Sequence, residues 1–415
     1  MQSGLRSTLH HGLAALALLV ACVTRPDMAL SQVGFDTEAP AALLIDYDTD
    51  TVLFEKNVDQ AVPPASLTKL MTLEILFHEL QEGKVGLNDT FTVSEHAWRS
   101  GGPKSGGSTM FLKPGEAVRV GDLIQGIAIQ SGNDAAVAVA EGLAGTEEAF
   151  AERMNARAKD IGLSGSHFAN PHGLPHPDEY VTMRDMARLA AHLIRTYPDR
   201  YSIFSEAEFT HNKVRQHNRN PALAEVPGAD GLKTGHTEES GYSLVASATR
   251  DTRRLILAMS GLKTARARAE EARKLMEYGF RAFEEVTVAQ ADKSVGEARV
   301  FGGASDAVAL VPHAPVNVVV PKGQGTDHLN LKIIHKDPLV APVAKGDQVA
   351  MLRIVRSEGQ EDQILREAPL FTGAAVEQGT LVQRAWEAAV AFVTQQWQNL
   401  GATTTEARAT AATPL

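Results

Sequence analysis

"PPASLTKLMT", Pro63–Thr72, contains the position on which the reading of this chain turns. The residue before a proline avoids the helical region, so the proline pair demands an extended approach. The stretch that follows, "SLTKLMTLEILFHEL", has neither Gly nor Pro and carries leucines, Met71, Ile75 and Phe77 on most sides, which predicts a buried helix. A serine at such a start is ordinarily an N-cap, and its favoured companion three residues on is Glu or Gln. Here that companion is Lys69, a cation where the helix dipole disfavours positive charge. Residues three apart on a helix share a face, so Lys69 can reach the Ser66 hydroxyl. A serine hydroxyl is a weak nucleophile until a neighbouring base takes its proton, and a lysine can do that only when kept neutral. Burial and a second nearby cation both lower a lysine's pKa. The local rule broken at Lys69 therefore reads as a functional site.

Two further stretches supply company for this pair. "QSGND" places Ser131, Gly132 and Asn133 between the short helices "VGDLIQGIAIQ" and "NDAAVAVAEGLAG". By itself it is a helix–helix corner capped by Asn133 or Asp134. "GLKTGHT" places Lys233, Thr234 and Gly235 on a strand leading into a turn, and alone it is an ordinary strand end. In this order, however, Ser-x-x-Lys, Ser-x-Asn and Lys-Thr-Gly resemble the three elements of penicillin-binding proteins and class A β-lactamases. The similarity continues through "GFDTEAPAALLIDYDTDTVLFEKN", "STMFLKPGEAVRVGDLIQGIAIQSGNDAAVAVAEG", "FANPHGL", "GLKTGHTEESGY" and "GFRAFEE". Together these look like low-molecular-weight D-alanyl-D-alanine carboxypeptidases over nearly the whole mature chain.

That resemblance implies an α+β fold: a β-lactamase/transpeptidase-like catalytic domain, with an antiparallel sheet, flanking helices and a helical lobe, plus a small all-β domain. It implies removal of the terminal D-alanine from peptidoglycan pentapeptides through an acyl-enzyme on serine, with β-lactams as covalent inhibitors and no cofactor or metal. Carried over residue by residue, Ser66 is the nucleophile and Lys69 the base for acylation. Ser131 passes a proton between Lys69, Lys233 and the leaving amine. Asn133 binds the substrate amide, Lys233 supplies positive potential, and Thr234 binds the terminal carboxylate. His236 follows Gly235 and contributes its backbone N–H, with that of Ser66, to an oxyanion hole. Arg268 fits the carboxylate-binding arginine by its spacing before "KLMEYGFR".

Around the motifs the pattern is legible in part. "AALLIDYDTDTVLFEKN" reads as a hairpin and "GYSLVASATRDTRRLILAMSG" as two strands joined by a polar turn. Helices are expected from Thr146 to Gly162, from a Thr182/Asp185 capping pair to Pro198, and over "RARAEEARKLMEYGFRAFEE". After Glu285 short alternating strands separated by Gly, Pro and Asp predict an all-β domain over 285–372, behind a catalytic domain over 32–284. Over 373–400 a helix is expected to lie on the membrane surface: Val382, Trp386, Ala389, Val390, Val393, Trp397 and Leu400 follow one face, opposite Gln383, Arg384, Glu387, Thr394, Gln395 and Gln398. The tail 401–415 reads as disordered.

The chain of 415 residues has a net charge of −10, which argues against nucleic acid as a partner. Arg6 followed by an apolar run from Leu13 to Val23 reads as a signal peptide over 1–31, hence an exported, periplasmic protein on the outer face of the cytoplasmic membrane. The single cysteine, Cys22, lies in "LVAC", which resembles a lipobox, and offers lipidation as the alternative to cleavage after Ser31. Three other readings compete. A β-lactamase would need a glutamate acting through water, and Glu179 lies in the loop "HGLPHPDEY". A zinc hydrolase could draw on His167, His172, His176 and Asp178, although turn-like Pro and Gly flank them and no His-Glu-x-x-His helix appears. A non-catalytic wall-binding lipoprotein would tolerate loss of Ser66, Lys69 or Lys233, and all three are present.

Overall fold

Strict alternation of side chains builds the centre of the catalytic region. In the strand Ala41–Asp46, Leu43 and Ile45 enter one hydrophobic core while Ala42 and Leu44 enter another. A strand buried on both faces must be apolar at every position, as this one nearly is. The computed structural model, which describes residues 35–358, 361–386 and 388–390, sets this strand inside a five-stranded antiparallel sheet. The order is Val52–Lys56, Ala41–Asp46, Arg253–Leu262, Gly241–Arg250, Ala229–Thr237. Sequence-distant segments thus meet at the centre, with Leu44 opposite Leu257 and Ile45 opposite Ile256.

One face of the sheet is covered by the helix Ala265–Ala282, through Ala272, Leu275 and Met276. Gly279 lets that helix close on the sheet, since a Cβ there would lie 2.7 Å from Leu255 and 2.8 Å from Leu44. The other face carries the helical lobe: Lys69–Gln81, Asn133–Ala144, Glu147–Asp160 and Met183–Thr196 share one core with Leu43, Ile45, Ile256 and Ala258. Thr146, Thr182 and Thr264 each accept the backbone N–H three residues on, capping their helices. The expected reciprocal pair at Thr182 forms only in half. Asp185 turns its carboxylate to the Gly165 N–H and the Ser166 hydroxyl, both at 2.8 Å, and pins an incoming loop instead.

The expected helix start also differs. Ala65–Thr68 is a 3₁₀ turn, and the α-helix begins at Lys69. Ser66 is therefore not an N-cap; it sits inside a tight turn entered through Ala65 at φ +48°, a costly conformation for a residue with a Cβ.

Behind the catalytic region the strands Gly296–Phe301, Ala307–Val311, Leu329–His335, Leu339–Val340, Gln348–Glu358 and Glu361–Thr372 form a second, mainly antiparallel sheet. It is accompanied by the pair Phe283–Ala289 and Val316–Pro321, with Val300, Leu310, Val318, Leu352 and Leu370 in its core. A helical stretch starts at Leu381, where Leu381, Val382 and Trp386 are exposed. Among the described residues no helix is long and apolar enough to cross a membrane. The signal segment, Cys22, Val393, Thr394, Gln395, Trp397, Gln398, Leu400 and the tail lie outside the described residues, as does Glu387.

Candidate active site

The Ser66 turn is gripped from two sides, and glycine makes both contacts possible. Gly173, at φ +80°, brings a loop so close that a Cβ would lie 1.8 Å from the Ala65 carbonyl oxygen. On the other side Gly235, in the strand Ala229–Thr237, faces the turn, where a Cβ would meet the Pro64 carbonyl at 3.0 Å. No larger residue permits the first approach, and a larger one would crowd the second.

Lys69 is fully buried beneath this turn. Its Nζ donates to Ser66 Oγ at 3.1 Å, to Asn133 Oδ1 at 2.7 Å and to the His172 carbonyl at 2.6 Å. Those three partners come from the turn, the start of the helix Asn133–Ala144, and the loop after Asn170. Burial pulls the Lys69 amine down to about 7, against the fields of Glu179 and Asp134 and with that of Arg219. An amine that is part neutral at neutral pH, in contact with a serine hydroxyl, is a competent base.

Ser131 takes a left-handed backbone, φ +67°, between the helical segment ending at Gln130 and the next helix. Its hydroxyl is buried with no hydrogen-bond partner among the described residues, in the wall of the cleft that holds Ser66. The expected cap at this corner is absent: Gly132 is the N-cap, and Asp134 instead accepts from Thr109 Oγ1 at 2.6 Å and from Met110 N at 2.8 Å. Asp134 is thereby committed to holding the neighbouring loop. Lys233 is buried and donates to the Thr234 carbonyl at 3.0 Å. Desolvation, together with the charges of Lys69, Arg219 and Arg268, holds its amine well below the ordinary lysine range.

A cavity of about 400 Å³ opens over this arrangement, lined by Ser66, Ser131, Asn133, Thr234, Gly235 and Arg268 among others. Arg268 reaches it from the helix Ala265–Ala282, is only 9 % exposed, and lies over the Tyr242 ring at 5.4 Å with its Nε unpartnered among the described residues. It is not on a solvated helix face. His236 is exposed and packs on the same tyrosine, ring centroids 3.9 Å apart. Every candidate residue thus converges on one cleft, with Lys69 and Lys233 beneath its floor.

Four further groups in or beside the cleft carry no sign of their place in the sequence. Arg219 lines the cleft and donates to Ser108 Oγ at 2.7 Å, with no motif around it to announce it. Tyr242 is placed by strand register, opposite His236. The His172 carbonyl is a backbone atom, and its contribution leaves no mark on residue identity. Glu147, at the start of its helix, holds the His172 ring at 3.2 Å and also pairs with His96. Of the residues weighed for zinc, His167 bonds the Asp178 carbonyl at 2.7 Å while His172 points to Glu147, so they diverge. Glu179, the residue weighed for a β-lactamase, has both oxygens occupied by Thr68 and Asn170.

Comparison with known proteins finds relatives over most of the chain. Residues 27–264 match the D-alanyl-D-alanine carboxypeptidase peptidase family, and residues 283–378 match the C-terminal domain of penicillin-binding protein 5. The D-alanyl-D-alanine carboxypeptidase DacC of Escherichia coli (strain K12) is 40% identical over 385 residues, covering 92% of this chain and 95% of that protein. The crystal structure of penicillin-binding protein 5 from Haemophilus influenzae superposes with a TM-score of 0.75 at 36% identity, covering 84% of this chain and 100% of its own. Penicillin-binding protein D2 of Listeria monocytogenes, in its ampicillin-bound form, gives a TM-score of 0.52 at 29% identity over 60% of this chain and 100% of its own.

Proposed function

The chain belongs to the D-alanyl-D-alanine carboxypeptidase family, and from that premise we propose that Ser66, Lys69, Ser131, Asn133, Lys233, Thr234, Gly235, His236 and Arg268 carry its reaction. The chain is a serine-type carboxypeptidase that removes the terminal D-alanine of peptidoglycan pentapeptides and is inhibited by β-lactams. The observation that carries the assignment of residues is the 3.1 Å contact between a buried lysine amine and the Ser66 hydroxyl.

The substrate's terminal carboxylate is met by Thr234 and Arg268, in a field reinforced by Lys233 and Arg219. Neutral Lys69 takes the Ser66 proton as Oγ attacks the penultimate D-alanine carbonyl. The backbone N–H groups of Ser66 and His236 stabilise the oxyanion. Ser131, in the wall of the same cleft, relays the proton taken up by Lys69 to the departing amine as the peptide C–N bond breaks, and D-alanine leaves. Water then attacks the acyl-serine carbonyl, the bond to Oγ breaks, the shortened peptide leaves as a carboxylate, and Ser66 recovers its proton. A β-lactam follows the same first step, but its leaving amine stays tethered, and the acyl-enzyme persists.

Carboxylate recognition supplies the test. Arg268→Ala is expected to lower kcat/KM for a D-Ala-D-Ala peptide by about a hundredfold, through loss of a charge-assisted partner in a buried site. The analogue amidated at its terminus should lose less than about threefold. Equal losses on both peptides would reduce Arg268 to a structural role.

Residues 32–284 are assigned to the catalytic unit and 285–372 to the β unit. The helix expected from 373 instead begins at Leu381, because Val376 and Gln378 bridge Val343 and Gly303 of the β unit. It is this helical stretch that rests on the outer face of the cytoplasmic membrane. Export follows from the signal segment 1–31, with cleavage after Ser31 rather than lipidation at Cys22. Support for the anchor comes from Val382 at 79 % and Trp386 at 71 % exposure, a helical face left uncovered by the described residues. Arg384 is the one cation of the stretch Gly379–Gly401, so apolar burial rather than charge must hold it. Binding to liposomes is expected to resist high salt and to vanish on truncation after Gly373. A truncated, unlipidated protein that still sediments with liposomes would remove the anchor.

A further inference from the structure

Behind Lys69 lies a carboxylate that the reaction above does not use. Glu179 is 5 % exposed, and among the described residues its hydrogen-bond partners are the neutral Thr68 and Asn170 side chains. One of its oxygens accepts from Thr68 Oγ1 at 2.6 Å and the other from Asn170 Nδ2 at 2.5 Å. Thr68 is the residue between nucleophile and base. Asn170 Oδ1 in turn accepts the backbone N–H of His172 at 3.1 Å and of Gly173 at 2.6 Å. The His172 carbonyl then accepts from Lys69 Nζ at 2.6 Å. The contacts close a ring: Thr68, Glu179, Asn170, His172, Lys69, and back to Thr68 through the chain.

We propose that Glu179 is a positioning residue for the acylation base: its carboxylate clamps the Ser66–Lys69 turn to the loop whose carbonyl holds the lysine amine, and its charge biases that amine toward its protonated form. The ring accounts for the position, because moving Glu179 releases both Thr68 and the His172 loop. The charge follows from burial. Desolvation pushes the Glu179 carboxyl up to about 7, opposed by Thr68, Asn170 and the Lys69 ammonium. In the other direction the Glu179 charge is the foremost influence resisting the desolvation of Lys69. Each charge favours the other, so the pair titrates together.

Other charges face the same amine: Asp134 from the helix Asn133–Ala144, Lys233 from the neighbouring strand, and Arg219 across the cleft. The His172 ring, tied to Glu147 and through it to His96, completes the set. Asp134, Lys233 and Arg219 stand on elements that the Glu179 ring does not hold, so their charges are common to the parent and a Glu179 variant. The proposal rests on Lys69 being the base, as assigned above.

The experiment follows the second-order rate of acylation by a fluorescent penicillin from roughly pH 5 to 9. Around neutrality part of the Glu179 carboxyl is ionised and favours the Lys69 ammonium, so Glu179→Gln should move the acid limb to lower pH by about a few tenths of a unit. The shift is limited because the parent's own carboxyl is protonated further down. Glu179→Asp keeps the charge and should keep the limb where it is, with a lower plateau from the looser clamp. An acid limb in Glu179→Gln that coincides with the parent's, whatever the plateau, overturns the proposal. Should Glu179→Gln not fold, Thr68→Val removes one hydrogen bond that favours the charged carboxyl, and its limb should move the same way by less. An unmoved limb there is equally fatal. Near-normal acylation by Lys69→Arg would remove the base assignment and this proposal together. An unmoved limb beside an inactive Lys69→Arg removes the Glu179 proposal alone.

Discussion

Lys69→Arg loses acylation by at least about a hundredfold at every pH, although it keeps the cation, because a guanidinium cannot give up its proton in a protein. The parent enzyme should behave differently on either side of neutrality. Its Lys69 amine is drawn down to about 7, chiefly by burial. The neutral, active form is scarce below that pH and dominant above it, so acylation should climb about tenfold per pH unit on the acid side and then level. The direction matters: an ammonium destabilised by burial releases its proton at lower pH than a free lysine, which moves the working range down to neutrality. Stopped-flow acylation with a chromogenic cephalosporin reads both effects. Near-normal rates in Lys69→Arg would place the base elsewhere.

Ser66→Ala should abolish D-alanine release, on the order of 10⁴-fold or more, while leaving peptide affinity within a few-fold. The change removes the attacking atom and little else. Lys69 keeps two of its three partners, Asn133 Oδ1 and the His172 carbonyl, so the buried amine stays satisfied. The turn retains its anchors at Gly173 and Gly235, and Thr234 and Arg268 still meet the terminal carboxylate. Melting temperature should therefore change little. Calorimetric titration with a D-Ala-D-Ala peptide, set beside an assay of released D-alanine, separates binding from chemistry.

What could be read beforehand was whatever is local. The three threonine-capped helices, the hairpin after Ala41 and the paired strands around the turn at Arg250–Arg253 declare themselves through neighbouring residues. The Ser66–Lys69 pair is local too, and its conflict with capping preference marked it. Its exact backbone was not legible, because the 3₁₀ turn and the positive φ at Ala65 are imposed by Gly173 and Gly235, both far along the chain. Asp185 shows the same limit: capping chemistry predicted where it would bond, and a passing loop gave it better donors. Arg219, Tyr242 and the His172 carbonyl belong to the site through tertiary placement alone. Glu179 reads in the sequence as a candidate for hydrolysis through water, whereas its bonds run to Thr68 and Asn170.

Catalysis by Ser66 requires a covalent bond at its hydroxyl oxygen. Intact-mass measurement of the purified protein before and after exposure to a penicillin is the direct test. The parent should gain the mass of one opened β-lactam per chain, with the adduct on the peptide that contains Ser66, and Ser66→Ala should gain nothing. Labelling that persists in Ser66→Ala, or a parent protein whose mass never changes, would contradict the assignment of Ser66 as the nucleophile.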